Sequence, residues 1–193
     1  NGTVHFSKQF DLTLGGRYSH NKQSSAEVVG GLLVPGGQSF TGNSSDGVFT
    51  YSAAPAFHPN RDTTIYARIA KGYRPGGPNV IPPLAPGNVP RQFGPDTTTN
   101  YEIGFKSELL DRRLSVELTG FYIDWNKIQL LTAVSGFGVN VNGGKARSKG
   151  VEFSSELIPT EGLTLSANGA YVDAYLTQDV PALGAVNGNQ LPY

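Results

Sequence analysis

Between Asn100 and Gln129 apolar and polar side chains alternate up one limb and down the next, and few folds can accommodate that pattern. Tyr101, Ile103, Phe105 and Leu109 fall on one face of the first limb, and Glu102, Lys106 and Glu108 fall on the other. In the second limb Leu114, Val116, Leu118 and Tyr122 oppose Arg113, Ser115, Glu117 and Thr119, because successive side chains of a strand point to opposite sides of the sheet. With Asp111 and Arg112 as the turn, residues whose numbers add to 223 become partners. That register sets Leu109 beside Leu114, Phe105 beside Leu118, Tyr101 beside Tyr122 and, on the polar face, Lys106 beside Glu117. A slip of one residue would mix the two faces. The apolar run from Tyr101 to Leu109 exceeds the roughly 5 or 6 residues usual in soluble sheets. It approaches the roughly 9 to 11 residues with which a tilted strand crosses a bilayer.

The same alternation recurs along the chain. Phe10, Leu12, Leu14 and Tyr18 oppose Asp11, Thr13 and Arg17, after a tight turn at Ser7 to Gln9 and the stub of an earlier strand at Thr3 to Phe6. Phe49, Tyr51, Ala53 and Phe57 pair with a strand carrying Ile65, Ala67 and Ile69, around a turn at His58 to Asp62. The inward set of that pair includes Thr50, Ser52, Tyr66 and Arg68, although the pattern alone leaves Tyr66 free to face either way. Val151, Phe153 and Leu157 are answered by Leu163, Leu165, Ala167 and Tyr171, with the turn at Pro159 to Glu161 and a pair sum of 320. Residues 24 to 47 have loop composition, with a short hairpin allowed at Val28 to Val34. Gly72 to Asp96 contains seven prolines, which remove ladder donors and exclude a central strand. Leu130 to Asn142 and the residues after Gln178 also read as loops, the last ending at the foot of a further strand.

Seven strands therefore follow one another with stubs at both ends, joined by short turns near residues 8, 60, 112 and 160 and long loops near 35, 85, 136 and 183. Such a meander, apolar on one face and charged on the other, is the pattern of an antiparallel, all-β transmembrane barrel wall. The other face carries Arg17, Arg68, Glu102, Lys106, Glu108, Glu117, Glu152 and Glu156, as a hydrated lumen would. Tyr73, Tyr101, Tyr122 and Trp125 gather on the long-loop side, where an aromatic girdle belongs. Alternation by itself also fits a soluble β-sandwich. An open sheet cannot sit in lipid, because its unpaired edges would each cost several kcal/mol. The first residue is Asn1, no signal peptide precedes it, and Asn187 to Tyr193 begin an unfinished element, so the chain reads as a piece of a larger barrel.

Composition narrows the function. Fifteen basic and fifteen acidic residues cancel over 193 positions, which gives no nucleic-acid surface. The absence of cysteine removes disulfides and thiolate metal sites and suits an exported protein. His5, His20 and His58 stand far apart with no partner at ligand spacing, and there is no nucleophile elbow or phosphate-binding loop. Neither an enzyme nor a resident metal or cofactor is expected.

An ordered series of motifs carries a family resemblance. It comprises Tyr66, then Gly72-Tyr73-Arg74-Pro75-Gly76-Gly77 with Asn79, Pro95 with Thr98 to Lys106, Phe121-Tyr122-Ile123-Asp124-Trp125 with Ile128-Gln129, and Asn142-Gly143-Gly144-Lys145-Ala146-Arg147-Ser148-Lys149-Gly150-Val151-Glu152. Together they resemble the barrel of TonB-dependent outer-membrane receptors, over essentially the whole of residues 1–193. The resemblance implies a Gram-negative outer-membrane location, a barrel of about 22 strands around an amino-terminal plug, and active uptake of a scarce nutrient, foremost a ferric siderophore or other iron complex. It further implies outer-membrane lipid around the wall and the TonB complex as partner through a plug. The plug, the TonB-contacting box and a closing strand have no counterpart in this sequence. Tyr193 is aromatic, as closing residues often are, but Ala185 to Pro192 do not alternate before it. A passive porin-like channel and a soluble all-β binding module are the competing readings. Arg74, Asn79 and Arg91, in the long loop, are the candidate substrate-binding residues, since arginine holds anionic chelates through charge-assisted bonds. The lumen charges read first as cross-strand scaffolding and second as a polar path for solute.

Overall fold

The structure is a computed structural model and describes residues 1–31, 34–82 and 85–191. Eight strands form one antiparallel sheet in chain order: β1 Gly2–His5, β2 Phe10–Gly31, β3 Val34–Asn60, β4 Thr63–Arg74, β7 Asp96–Leu109, β8 Leu114–Asn126, β11 Lys145–Thr160 and β12 Leu163–Leu176. Two small ladders stand at one end, β5 Gly77–Pro78 with β6 Gln92–Phe93, and β9 Gln129–Val134 with β10 Phe137–Asn142. No described helix is long and apolar enough to cross a membrane.

The register of the central hairpin matches its sequence pattern. Leu109 pairs with Leu114, Phe105 with Leu118, Tyr101 with Tyr122 and Lys106 with Glu117. The turn is wider than Asp111 and Arg112, because Leu110, Asp111 and Arg112 all take positive φ angles of 53°, 55° and 67°. Across β4, β7, β8, β11 and β12 one face is then continuous, from the row Leu109, Leu114, Leu157, Leu165 through Phe105, Leu118, Phe153 to Ile103, Val151, Tyr171. These side chains face outward with nothing from the chain over them; Ile103 is 65% exposed and Tyr171 71%.

Several sequence expectations need correction. The β11–β12 pairing sets Leu157 against Leu165 and Phe153 against Gly169, two residues away from the sum of 320. The turn lies at Glu161 and Gly162, where Gly162 supplies a φ of 81°, and a register shift between Leu157 and Thr160 absorbs Pro159. A two-residue slip preserves the faces, which is why the apolar pattern could not expose it. Residues 24–31 and 34–47 are strand, not loop. β2 and β3 stay paired from Phe10–Phe57 to Gly31–Val34, while the β3–β4 ladder ends at Ser52–Ala70. The upper part of this hairpin is thus a two-stranded ribbon standing beyond the wall. Its Gly, Ser and Asn side chains carry no strand signal, but each strand satisfies the other's backbone groups. Leu32 and Leu33, within the short hairpin expected there, lie outside the described residues, as does Tyr193.

Leu130 to Asn142 is likewise a hairpin, turned by Ser135 and Gly136 at φ 51° and 85°, the geometry that two-residue hairpin loops favour. Trp125 does not join the girdle. It is three residues from Tyr122 and so takes the opposite face, packing with Ile128, Ala146, Leu176 and Val180. Beyond the 3-10 turn Pro181–Leu183, Leu191 donates to the Ala174 carbonyl and Gln190 bridges Tyr175, so the chain comes back alongside β12 as the foot of a strand would.

Candidate functional site

The inward face of the wall is wet and internally paired. Lys106 Nζ lies 2.9 Å from Glu117 Oε1, and Arg68 Nη1 lies 3.5 Å from Glu102 Oε2. Tyr66, whose facing was open, stands inward. Its ring lies across Gly104, where any Cβ would collide with it, and its hydroxyl reaches Thr119 Oγ1 at 3.3 Å. Phe121 covers Gly150 in the same way. The two motif glycines are therefore floors for aromatic rings from the neighbouring strand, a packing that compensates for a strand glycine.

At the short-turn end His5 and His58, far apart in sequence, both bond Asp11, through Oδ1 and through Oδ2 at 3.2 Å, and His58 Nδ1 lies 3.0 Å from Thr64 Oγ1. Their separation in sequence hides this pairing, because the β1–β2–β3 register brings both to one carboxylate. Among the described residues no group of three or more metal-ligating side chains converges.

The long-loop end is built. The segment from Pro75 to Gly94 closes on itself through β5 and β6 and leans on the β9–β10 hairpin, burying Ile81, Val89 and Val139 in a small core of their own. Three amide side chains then tie backbone to backbone. Gln129 Nε2 donates to the carbonyls of Pro75 at 2.8 Å and Gly94 at 3.2 Å, and Asn142 Nδ2 donates to Gly94 O at 2.8 Å and Lys127 O at 3.0 Å. Asn79, 6% exposed, donates to Pro90 O and Asn140 O and accepts from Asn140 N at 2.9 Å. Gly76 is wedged where a Cβ would meet Asp46 Oδ2 at 2.6 Å and the Gly94 carbonyl carbon at 2.7 Å, so the loop can lie against the ribbon only with glycine there.

Each candidate residue has a defined place in this assembly. Arg74 sits at its base, its Nη2 2.6 Å from Asp96 Oδ2 and its guanidinium 5.8 Å from the Trp125 ring centroid. Asp96 is 2% exposed, while about half of the Arg74 side chain remains open. Asn79 is consumed by the loop's internal bonding. Arg91 is exposed, and its carbonyl accepts from Asn79 N at 2.9 Å. The three share one loop but do not form one cluster.

Sequence reading missed a cleft of about 650 Å³ between ribbon and loop, lined by Lys22, Gln23, Asn43, Ser44 and Gln92. Gln23 Nε2 holds Gly76 O at 2.9 Å, and the Ser44 hydroxyl is buried without a partner among the described residues. On the same inward face of the ribbon Ser19 Oγ, Asn21 Nδ2 and Asp46 Oδ2 are also buried, again with no partner among the described residues. All of these except Gln92 come from residues 19 to 46, with Asn43, Ser44 and Asp46 from the part whose composition reads as loop. Residues 21 to 25 are polar throughout, so no alternation marks the face that enters the cleft.

The wall, its outward apolar face and its ordered outer end define an outer-membrane β-barrel. The chain belongs to the TonB-dependent receptor family: the model of the family's β-barrel, described as "TonB dependent receptor-like, beta-barrel", matches residues 1–193. The chain is 30% identical over 193 residues to the pesticin receptor of Yersinia enterocolitica, covering 99% of this chain and 27% of the receptor. It is 34% identical over 132 residues to the metal-pseudopaline receptor CntO of Pseudomonas aeruginosa, covering 67% of this chain and 16% of that protein. The ferric yersiniabactin uptake receptor FyuA from Yersinia pestis superposes with a TM-score of 0.79 at 25% identity, covering 99% of this chain and 28% of that one. The chain therefore spans about a quarter of the length of the full-length relatives it matches. These relatives are transport receptors, and the barrel is integral to the outer membrane of Gram-negative bacteria. That location removes the soluble-module reading. The apolar outward face meets lipid, the short turns face the periplasm and the built end faces the exterior.

Proposed function

We propose that these residues form part of the wall and outer vestibule of a receptor that takes up a ferric siderophore or a similar metal chelate, driven by the TonB complex acting on a plug encoded elsewhere in the full protein. The observation that carries this reading is the ordered polar cleft at the outer end, with Lys22, Ser44 and Gln92 in its lining and Arg91 next along the chain. Anionic chelates are held by charge-assisted bonds and hydroxyl or amide donors, and two of the similar proteins are named as a metal-pseudopaline receptor and a ferric yersiniabactin uptake receptor. Arg91 is the direct contact, Arg74 a cation at the base of the loop, and Asn79 the residue that positions Arg91.

The test is uptake of radiolabelled iron by a deletion strain carrying the full-length gene, supplied with iron chelates one at a time. Saturable uptake of one chelate, abolished by collapsing the proton gradient and weakened about tenfold by Arg91→Ala with Lys22→Ala, is the expected result. Uptake that survives loss of the gradient would instead mark a passive channel, and no defect on any iron source would remove the iron assignment.

A further inference from the structure

The β3–β4 ladder runs up to Ser52 and Ala70, and beyond that pair the two strands part where the ribbon leaves the wall. On the inward face at this fork the row Gly15, Ser52, Ala70 is made of small residues, and a Cβ on Gly15 would meet Ser52 Oγ at 2.7 Å. Arg17 lies two residues beyond Gly15 on β2 and Arg68 two residues before Ala70 on β4, so both long side chains share the face of that floor. One stands above it and the other below. They border a cavity of about 180 Å³ with Thr50 and Ser52 in its lining.

Cross-strand pairing does not use up either guanidinium. Arg68 Nη1 stands 3.5 Å from Glu102 Oε2, and about half of its side chain is open. That separation exceeds the roughly 2.7–2.9 Å of a charge-assisted hydrogen bond, whereas Lys106 meets Glu117 at 2.9 Å. Arg17 is exposed and has no carboxylate within ion-pair distance among the described residues. Two guanidinium groups around a hydroxyl-bearing floor match a carboxylate, which arginine holds through two parallel bonds. The notch also lies on the way inward from the cleft. Gln23, Asn21, Ser19 and Arg17 are successive inward positions of β2, which sets the notch about 20 Å below the cleft along the strand.

We infer that Arg17 and Arg68, with the Ser52 hydroxyl between them, form a carboxylate-binding station on the lumen wall, the next hold for the anionic end of a chelate after the outer cleft. Its role in transport rests on the uptake reading above, while its chemistry as a carboxylate site stands on the notch alone.

The test measures phenylglyoxal modification of Arg17 and Arg68 in the folded full-length receptor, read by peptide mass spectrometry, with citrate as the carboxylate probe. Millimolar citrate should protect both arginines, and its uncharged triamide should protect neither. In Arg17→Gln the citrate concentration that half-protects Arg68 should rise roughly tenfold, as expected for loss of one hydrogen bond to a charged group, and Arg17→Lys should restore most of that loss. Arginines placed only for the fold would show no such coupling. In the radiolabelled-iron assay Arg17→Gln with Arg68→Gln should slow uptake several-fold while the chelate bound after collapse of the gradient stays the same. Arginines that resist phenylglyoxal before citrate is added, as a plug carboxylate seated on them would cause, would overturn the proposal. Equal protection by the triamide, an unshifted midpoint in Arg17→Gln, or unchanged uptake in the double variant would do the same. Protection by citrate in a receptor that takes up no iron source would keep the carboxylate site and remove only the uptake reading; intact uptake without protection would remove the site alone.

Discussion

Between Tyr101 and Leu109 the chain turns its apolar side chains outward, and between Ile81 and Val139 it turns them inward. In the wall Ile103 is 65% exposed, whereas in the outer assembly Val139 is 1% exposed. Lipid completes the first arrangement and the chain itself completes the second. The wall is therefore specified by an environment and by a repeating register, in which each residue is one instance of a rule. The outer assembly is specified by single contacts, such as Asn79 with Asn140 or Gln129 with Gly94, each of which has no substitute.

That contrast breaks first in the wall. Ile103→Arg, at mid-belt, should cost about 2–4 kcal/mol and prevent insertion, seen as loss of the heat-modifiable folded band of the full-length receptor in outer membranes. Leu131→Arg, on the equally exposed outer edge of the β9–β10 hairpin, should insert normally. If both variants assembled alike, the belt would not be the lipid face.

Next in size, Asn79→Ala leaves the Asn140 N–H and two carbonyls without partners, at about 1–3 kcal/mol for each buried group. Hydrogen exchange in residues 75–82 and 137–142 should rise by more than tenfold while β7 and β8 stay protected. Gly76→Ala should loosen the same loop from the ribbon and open it to limited proteolysis, because its new methyl displaces Gly94 or Asp46. Protection lost from the wall as well would show that the two regions are not separable.

The smallest effect belongs to the lumen. Lys106 and Glu117 are each about half exposed, so a double-mutant cycle in the full-length receptor should give under about 1 kcal/mol. A larger coupling would mean that lumen pairs, and not lipid burial, hold the wall's register.

Legibility in the sequence follows the same division. The central register was readable because one sum aligned both faces at once around a short turn. A pair sum of 320 misses the β11–β12 register by two residues because parity survives such a slip, and only the turn, set by Gly162, distinguishes the alternatives. The ribbon carries loop composition because Gly, Ser and Asn side chains do not report backbone pairing, whereas the β9–β10 hairpin, with Val134, Phe137, Val139 and Val141 around Ser135-Gly136, carries a strand signal that the loop reading overlooks. Its chemistry points Trp125 to the girdle, but its three-residue spacing from Tyr122 places it inward. Arg74, Asn79 and Arg91 are legible as residues of one long loop, but the partners that place Asn79 lie up to 61 residues away.

The amino-acid sequence by itself determined the wall, because a strand's alternation is local and lipid rewards it row by row. Tertiary structure alone decided the outer end: which polar groups meet in the ribbon cleft and which amides are consumed in bracing. Those outcomes depend on contacts between distant segments, for which no period in the chain exists.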